Sequence, residues 1–372
     1  MRIPREVPLS NKSTNSNSTT DERLARETSS RERQVKCLVW DLDNTLWKGI
    51  LLEDEAVTLR DGVADVIRTL DQRGILHSIS SRNDYVEAMA KLSDFGLQEF
   101  FVYPQINWGI KSTSIRKIAD SINIGLDTIA FIDDEPFERD EVMSVYPEIR
   151  CFDAINLANL LARPEMMPRF ITEESSRRRQ MLQSDMIRNK SEEEFQGAQD
   201  LFLASLNMHL HIHPARESDL KRAEELTIRT NQLNTTGRTY SYDELDELRK
   251  SPNFHLWVAS LEDKYGSQGT IGLALIEEVK GEWWIRLLLM SCRVMNRGIG
   301  SVMINYIRDR AREAGVRLMA DMVMNDRNRM MYMTYKFSHF REIHRSGDLT
   351  AFENDLEQVQ AFPGYLRISA EV

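Results

Sequence analysis

The sequence predicts a doubly wound, parallel α/β sheet followed by a second unit, a mixed α+β sheet. Three observations carry this. From Val35 to Ala154, short apolar runs alternate with amphipathic stretches, the pattern of parallel strands joined by helical crossovers. Two of those runs, Cys37–Trp40 and Ile129–Ile132, end in closely spaced aspartates, Asp41 and Asp43 in one case and Asp133 and Asp134 in the other. Beyond about Leu201 helical stretches still occur, but the strand-like runs from His255 to Met290 follow one another directly.

In the first unit the expected strands are Cys37–Trp40, Leu76–Ser80, Phe100–Tyr103, Thr128–Ile132 and Ile149–Phe152. Amphipathic stretches at Val63–Arg73, Tyr85–Leu92, Ser112–Ile122 and Asp140–Ser144 read as the helices between them. Right-handed crossovers would place these helices on both faces of the sheet, with ligands at the carboxyl ends of the strands. In the second unit strands are expected at His209–His213, His255–Ser260, Thr270–Glu277 and Trp283–Met290. Helices are expected at Ser218–Asn231, Tyr242–Arg249 and Gly300–Ala314.

The expected boundaries are a disordered tail over 1–33, a first domain over 34–155, a helical linker over 156–200 and a second domain over 201–372. Ser10–Thr20 contains no apolar side chain and cannot repay its ordering entropy. In the linker, Arg177-Arg178-Arg179 reads as a solvated helix face or as a patch for phosphate or an acidic partner.

Acidic residues outnumber basic ones 58 to 48, and no basic stripe interleaved with aromatics occurs, which argues against nucleic-acid binding. No apolar run has membrane-spanning length. Three scattered cysteines, Cys37, Cys151 and Cys292, form neither a disulfide framework nor a zinc pattern, so a reducing cytoplasm is the expected location.

Two carboxylates at the exposed end of a buried strand are costly to desolvate without a partner. A divalent cation and a phosphate account for them, with Asp41 as nucleophile and Asp43 as its proton-transfer partner. Ser81 supplies a hydroxyl at the end of the second strand. Lys111, before a helix, can neutralise phosphate charge. Asp133 and Asp134 bring a second acidic pair to the same sheet edge, where an oxygen-ligated Mg²⁺ would relieve their repulsion.

The order DLDNT, Ser81, Lys111, IDD resembles the haloacid dehalogenase (HAD) superfamily of phosphotransferases over roughly residues 35–155. The resemblance implies that Asp41 forms an aspartyl-phosphate and that Asp43 acts as acid and then base. It implies that Ser81 and Lys111 hold the phosphoryl group, and that Asp41, Asp133 and the Asp43 carbonyl bind Mg²⁺. Asp134 would bind the metal through water or position Lys111. Only 39 residues separate Asp41 from Ser81 and 29 separate Ser81 from Lys111, too few for a cap domain. The site is therefore expected to be open to a bulky or protein-borne substrate.

The longer strings DLDNTLWKGILLEDE, SSRND, INWGIKS, FIDDEPFERDEV, ELTIRTNQLNTTG and LLLMSCRVMNRGIG resemble the FkbH-like proteins, HAD-type domains fused to an acetyltransferase-like (GNAT-like) domain. This implies a glyceryl transferase and phosphatase. It would take a glyceryl unit from 1,3-bisphosphoglycerate, remove phosphate and load the unit on the phosphopantetheine arm of an acyl carrier protein for polyketide extender-unit biosynthesis. The alternative is a simple phosphatase of small phosphate esters with a non-catalytic second domain.

Met295-Asn296-Arg297-Gly298-Ile299-Gly300 resembles the acetyltransferase pyrophosphate loop, with Met295 at the usual first basic position and Arg293 and Arg297 as the remaining anion contacts. The candidate acyl-transfer or carrier site is thus Cys292, Arg293, Arg297, Gly298, Gly300, Asn231, Gln232 and Asn234. A cysteine tether is expected in some family members just before the motif serine; here that position is Ser80. His209, His211 and His213 share one strand face, read as an exposed polar face rather than a metal site.

Overall fold

The computed structural model describes residues 34–230, 232–295, 297–358 and 361–371. The tail over 1–33 and Asn231 lie outside the described residues. The first unit contains β1 (Cys37–Trp40), the short pair β2 (Trp47–Lys48) and β3 (Thr58–Leu59), β4 (Leu76–Ser81), β5 (Gln105–Ile106), β6 (Ile129–Asp133) and β7 (Arg150–Asp153). Five of these form one sheet in the order β5-β4-β1-β6-β7, every neighbour parallel.

The sheet is doubly wound because β1 is apolar at every position and buried on both faces. Leu38 and Trp40 pack on one side with the helices Val63–Gln72 and Tyr85–Asp94. Cys37 and Val39 pack on the other with Lys111–Ile122 and Pro136–Val145. That alternation fixes the register and leaves Asp41 as the first side chain beyond the covered strand.

One expected strand differs. Gln98–Phe100 is a 3₁₀ turn, and Phe101 makes only an isolated bridge to His77. Tyr103 adopts φ 49° and Pro104 has no N–H, so pairing with β4 resumes only at Gln105. The last helix of this unit starts at Pro136 rather than Asp140, with proline in the first turn.

The second unit contains β8 (Met208–Pro214), β9 (Phe254–Asp263), β10 (Gly266–Val279), β11 (Glu282–Met290), β12 (Arg317–Val323), β13 (Phe340–Ser346), β14 (Leu349–Asn354) and β15 (Leu366–Ala370). They form one sheet ordered β13-β14-β12-β11-β10-β9-β8-β15. The helices Leu220–Arg229 and Tyr242–Lys250 cover one face; Ile299–Ala314 and Arg329–Phe337 cover the other. Strands β11 and β12 run parallel but pair only over Glu282–Ile285 and Arg317–Ala320, and then diverge. His209 and His211 bond the Ser369 hydroxyl on β15, and His213 bonds the Pro214 carbonyl.

The helix Arg178–Glu193 joins the units. Arg177 stays on the surface and pairs with Glu173. Arg179 is buried and makes a two-pronged contact with Asp71 at 3.0 and 3.3 Å in the first unit. Arg178 donates to the Gly74 carbonyl and to Glu225 of the second unit. Arg178 therefore fastens the two units together and Arg179 fastens the linker helix to the first, and neither a solvated face nor a ligand patch describes them. Among the described residues, no helix is long and apolar enough to cross a membrane.

His77 on β4 provides a test of the first core. It is fully buried; Trp40 Nε1 donates to its Nδ1 at 3.0 Å, and its Nε2 lies 3.0 Å from the Ile67 carbonyl. The neutral Nε2–H tautomer satisfies both bonds, whereas protonation would set two donors against each other. Burial accordingly lowers its pKa to about 3. The unfolded chain binds this proton near pH 6.5, so stability is full above that value and is lost as pH falls from about 6.5 toward 3. Urea unfolding across this range should show about 5 kcal/mol of pH-dependent loss in the wild type that His77→Gln lacks, although the variant is less stable at pH 7.

Candidate active site

Parallel pairing of β1 with β6 brings the loops after the two strands side by side, and Asp41 N bonds the Ile132 carbonyl at their common edge. Asp41, Asp133 and Asp134 offer oxygens within 4.8 Å of one another, the one such cluster of metal-ligating side chains among the described residues. Lys111, the first residue of the helix after β5, reaches into this cluster. Its Nζ donates to Asp41 Oδ1 at 2.7 Å and to Asp133 Oδ2 at 2.5 Å, and all three side chains are buried.

Burial pushes the Asp41 and Asp133 carboxyls above the usual carboxylate range, against the pull of the Lys111 charge. The Ser81 hydroxyl also helps keep Asp41 ionised. Burial works to lower the Lys111 ammonium, but the two carboxylates outweigh it and hold its pKa above the ordinary value. Two buried carboxylates thus share one ammonium, leaving an excess negative charge that a hard divalent cation with oxygen ligands would offset.

Asp43 is held differently. Its Oδ1 accepts from Trp47 Nε1 at 2.8 Å and from the Leu51 amide at 2.9 Å; its Oδ2 accepts from Asn83 Nδ2 at 2.9 Å. Three donors orient a carboxylate that stays partly accessible, as a proton carrier requires. Thr45 ties the two acidic loops together, donating to Asp134 Oδ1 and accepting from the Asp134 amide, both at 2.9 Å. Arg139 braces the second loop by donating to the Asp133 and Asp134 carbonyls at 2.7 and 2.8 Å. The orienting roles of Asn83, Trp47 and Arg139 escaped sequence reasoning. The available signal was their place within two to six residues of an active-site aspartate or serine.

Among the described residues, the segments Asp41–Ser81 and Ser81–Lys111 contain only the β2–β3 pair, strand β4, two helices, short turns and β5, so no domain covers the site.

The glycine-loop residues are placed elsewhere. Gly298 adopts φ 72° and starts the helix Ile299–Ala314, with Gly300 in its first turn. The arginines are occupied by the chain itself. Arg293 donates to Met181 Sδ at 2.6 Å and to the Gln268 carbonyl at 2.9 Å. Arg297 is buried and lies 3.7 Å from Asp185 and 4.0 Å from Asp263. Arg188 of the linker helix completes this cluster on Asp263 at 2.7 and 3.0 Å.

Asn234 is buried, and its side chain closes its own loop: Oδ1 accepts from the Thr236 and Gly237 amides, and Nδ2 donates to the Thr230 and Arg238 carbonyls. Residues 233–235 fill the gap where β11 and β12 diverge. Thr235 N bonds the Leu288 carbonyl at 3.0 Å, Met290 N bonds the Leu233 carbonyl at 2.9 Å, and Val323 N bonds the Thr235 carbonyl at 2.9 Å. Gln232 and Cys292 remain exposed and line a cleft between the two units.

Comparison with known proteins fits this division. Residues 221–337 match the acetyltransferase (GNAT) family. No curated protein matches the chain. Among solved structures, the chain is similar to the N-terminal part of the protein BF1531 from Bacteroides fragilis, described as containing a phosphatase domain complexed with Mg. Identity is 28%, the TM-score is 0.33, and the match covers 39% of this chain and 43% of that one. The chain thus spans less than half the length of that relative. It is also similar to the ribosomal-protein-S18-alanine N-acetyltransferase of Escherichia coli, with 14% identity, TM-score 0.31, and coverage of 39% of this chain and 90% of that one. The PaiA N-acetyltransferase of Thermoplasma acidophilum, solved with coenzyme A, matches at 12% identity and TM-score 0.32, covering 39% and 98%. The fold is a HAD-like α/β domain followed by a GNAT-like domain.

The glycine loop yields a stability prediction. A Cβ on Gly298 would lie 2.7 Å from the Tyr365 hydroxyl, at a φ that L-residues disfavour. Gly298→Ala should cost about 2 kcal/mol in urea unfolding. Adding Tyr365→Phe should recover the part due to the clash and leave the part due to backbone conformation.

Proposed function

We propose that this chain is a Mg²⁺-dependent phosphotransferase acting through Asp41. In this reading it dephosphorylates a three-carbon acyl unit and loads it on an acyl carrier protein. The observation that carries the first half is the Lys111 ammonium held between buried Asp41 and Asp133, with Asp43 oriented by three donors two residues on.

An Asp41 oxygen attacks phosphorus while the leaving oxygen takes a proton from Asp43. Asp43 then takes a proton from the water that attacks the aspartyl-phosphate, and inorganic phosphate leaves with Asp41 restored. Lys111 and Ser81 hold the phosphoryl oxygens. Asp41, Asp133 and the Asp43 carbonyl would hold Mg²⁺, with Asp134 beside them; when bound, the ion supplies charge neutralisation for the transferring phosphoryl group.

The uncapped site supports a substrate presented by another protein, and the GNAT-like domain supports acyl chemistry in the same chain. The expected donor is 1,3-bisphosphoglycerate. Its acyl phosphate is already activated, so attack by a carrier thiol forms the thioester and releases phosphate with little more than positioning. Incubating the protein with Mg²⁺, 1,3-bisphosphoglycerate and a phosphopantetheinylated carrier should add a glyceryl mass to the carrier. Free phosphate without that mass gain would favour the simple phosphatase. That second reading is favoured by one observation, the occupation of Arg293 and Arg297 by the protein's own groups.

Asp41→Asn should lower phosphate release by at least about 10³-fold with the thermal transition preserved; release at the wild-type rate overturns the assignment. In differential scanning calorimetry, Mg²⁺ at a hundred times its Kd should stabilise the wild type by about 2.7 kcal/mol. Asp133→Asn should abolish that shift.

A further inference from the structure

Lys36 precedes β1 at the amino end of the parallel sheet, opposite the edge that carries Asp41. It lines a cavity of about 660 Å³ between the two domains, within the size range of small-molecule sites. Arg229, Thr230, Gln232, Cys292 and Arg327 of the GNAT-like domain line the same cavity. The Lys36 ammonium is half-buried, and among the described residues its hydrogen-bond acceptor is the Arg229 carbonyl at 3.2 Å. Burial lowers its pKa, and the nearby Arg178 and Arg327 charges push the same way, opposed by Cys292 and Asp127.

Among the described residues, no carboxylate pairs with Lys36 or with Arg327, although most other basic groups of the domain interface have such partners. Asp127 and Glu148 also line the cavity but are exposed. A half-buried cation of the cleft thus lacks a carboxylate partner among the described residues and has guanidinium neighbours, an arrangement that a bound anion relieves.

We propose that this interdomain cleft is a second ligand site, which binds a phosphate- or carboxylate-bearing small molecule through Lys36 and Arg327 beside the Cys292 thiol. The site goes beyond the phosphotransferase reading: it lies at the other end of β1, and no step at Asp41 requires it. Four residues of extended chain lie between Lys36 and Asp41, and the five steps span about 16 Å.

The cysteines provide a readout independent of turnover. Cys37 is buried with its thiol pushed far up by burial, and burial also pushes Cys151 up to about 12. Cys292 is the exposed thiol. Ellman's reagent on the native full-length chain, in EDTA without Mg²⁺, should therefore modify Cys292 first.

3-Phosphoglycerate and 4′-phosphopantetheine are the probes, and glycerol is the uncharged control. A probe at ten times its Kd should slow Cys292 modification about tenfold. Arg327→Gln, at an exposed position, and Lys36→Gln should each weaken that protection, measured against each variant's own unliganded modification rate. Protection by the first probe identifies a small phosphorylated acid as the ligand, and protection by the second identifies a carrier arm; either sustains the site. Modification rates unaffected by both probes at millimolar concentration, or protection undiminished in both variants, overturn it. Because the readout is thiol modification, failure of the Asp41→Asn test and failure of this one are separable.

Discussion

The Lys111 ammonium between Asp41 and Asp133 is the constraint on which the first domain depends. It brings together three elements: β1, β6 and the helix after β5. Removing the lysine would leave two buried carboxylates facing one another, and removing either carboxylate would leave the other paired but the charge balance altered. The sheet supplies the placement, since parallel neighbours end at the same edge and their loops must meet there. Thr45 and Arg139 then fix those loops to each other, so the acidic cluster is assembled before any ligand arrives. Asp43, held by three donors from two segments, is the more accessible carboxylate and the one suited to exchange protons with solvent.

The second constraint is the linker helix, which is built from buried ion pairs rather than from an apolar seam. Arg179 on Asp71, Arg178 on Glu225 and Arg188 on Asp263 each join it to a different part of the molecule. Glu225 shows the balance of terms. Burial alone would raise its pKa, but Arg178 and Arg222 outweigh burial and hold it at about 2. Such pairs add little net stability over apolar packing, but each misplaced partner is expensive. They therefore specify one docking geometry between the domains, and that geometry forms the cleft at Lys36.

Much of the first domain is legible in the sequence because its signals are local. The Cys37–Trp40 and Ile129–Ile132 runs announce buried strands, and the aspartates after them announce their ends. The strand expected at Phe100–Tyr103 failed where a left-handed Tyr103 and Pro104 interrupted an apolar run, a backbone effect that composition does not carry. The orienting bonds of Asn83 and Trp47 to Asp43 were not legible, since they depend on which loops face each other. The arginine run departs from its expectation for a related reason. Arg177, Arg178 and Arg179 look equivalent in the sequence, yet helical periodicity sends one to solvent and two into the interface. Past Met290 no local pattern announces a strand, and β12 to β15 emerge only from long-range pairing.

The glycine loop shows how a motif can persist in shape while its chemistry is redirected. Gly298 and the helix behind it keep the geometry that lets backbone amides face an anion. Yet Arg297, beside it, is neutralised by Asp185 of the linker helix and by Asp263, and Arg293 is spent on Met181 and Gln268. On the far side, residues 233–235 fill the gap between β11 and β12 with main-chain bonds to both strands. A ligand approaching the end of β11 along the loop would have to displace buried ion pairs, and one entering between the strands would have to break that ladder. The Cys292 side requires neither, because the cleft there is already open and, among the described residues, Lys36 and Arg327 have no carboxylate partner. The docking that occupies the loop's arginines is thus the same docking that creates the cleft, and β1 runs from Lys36, facing the second domain, to Asp41 in the acidic cluster.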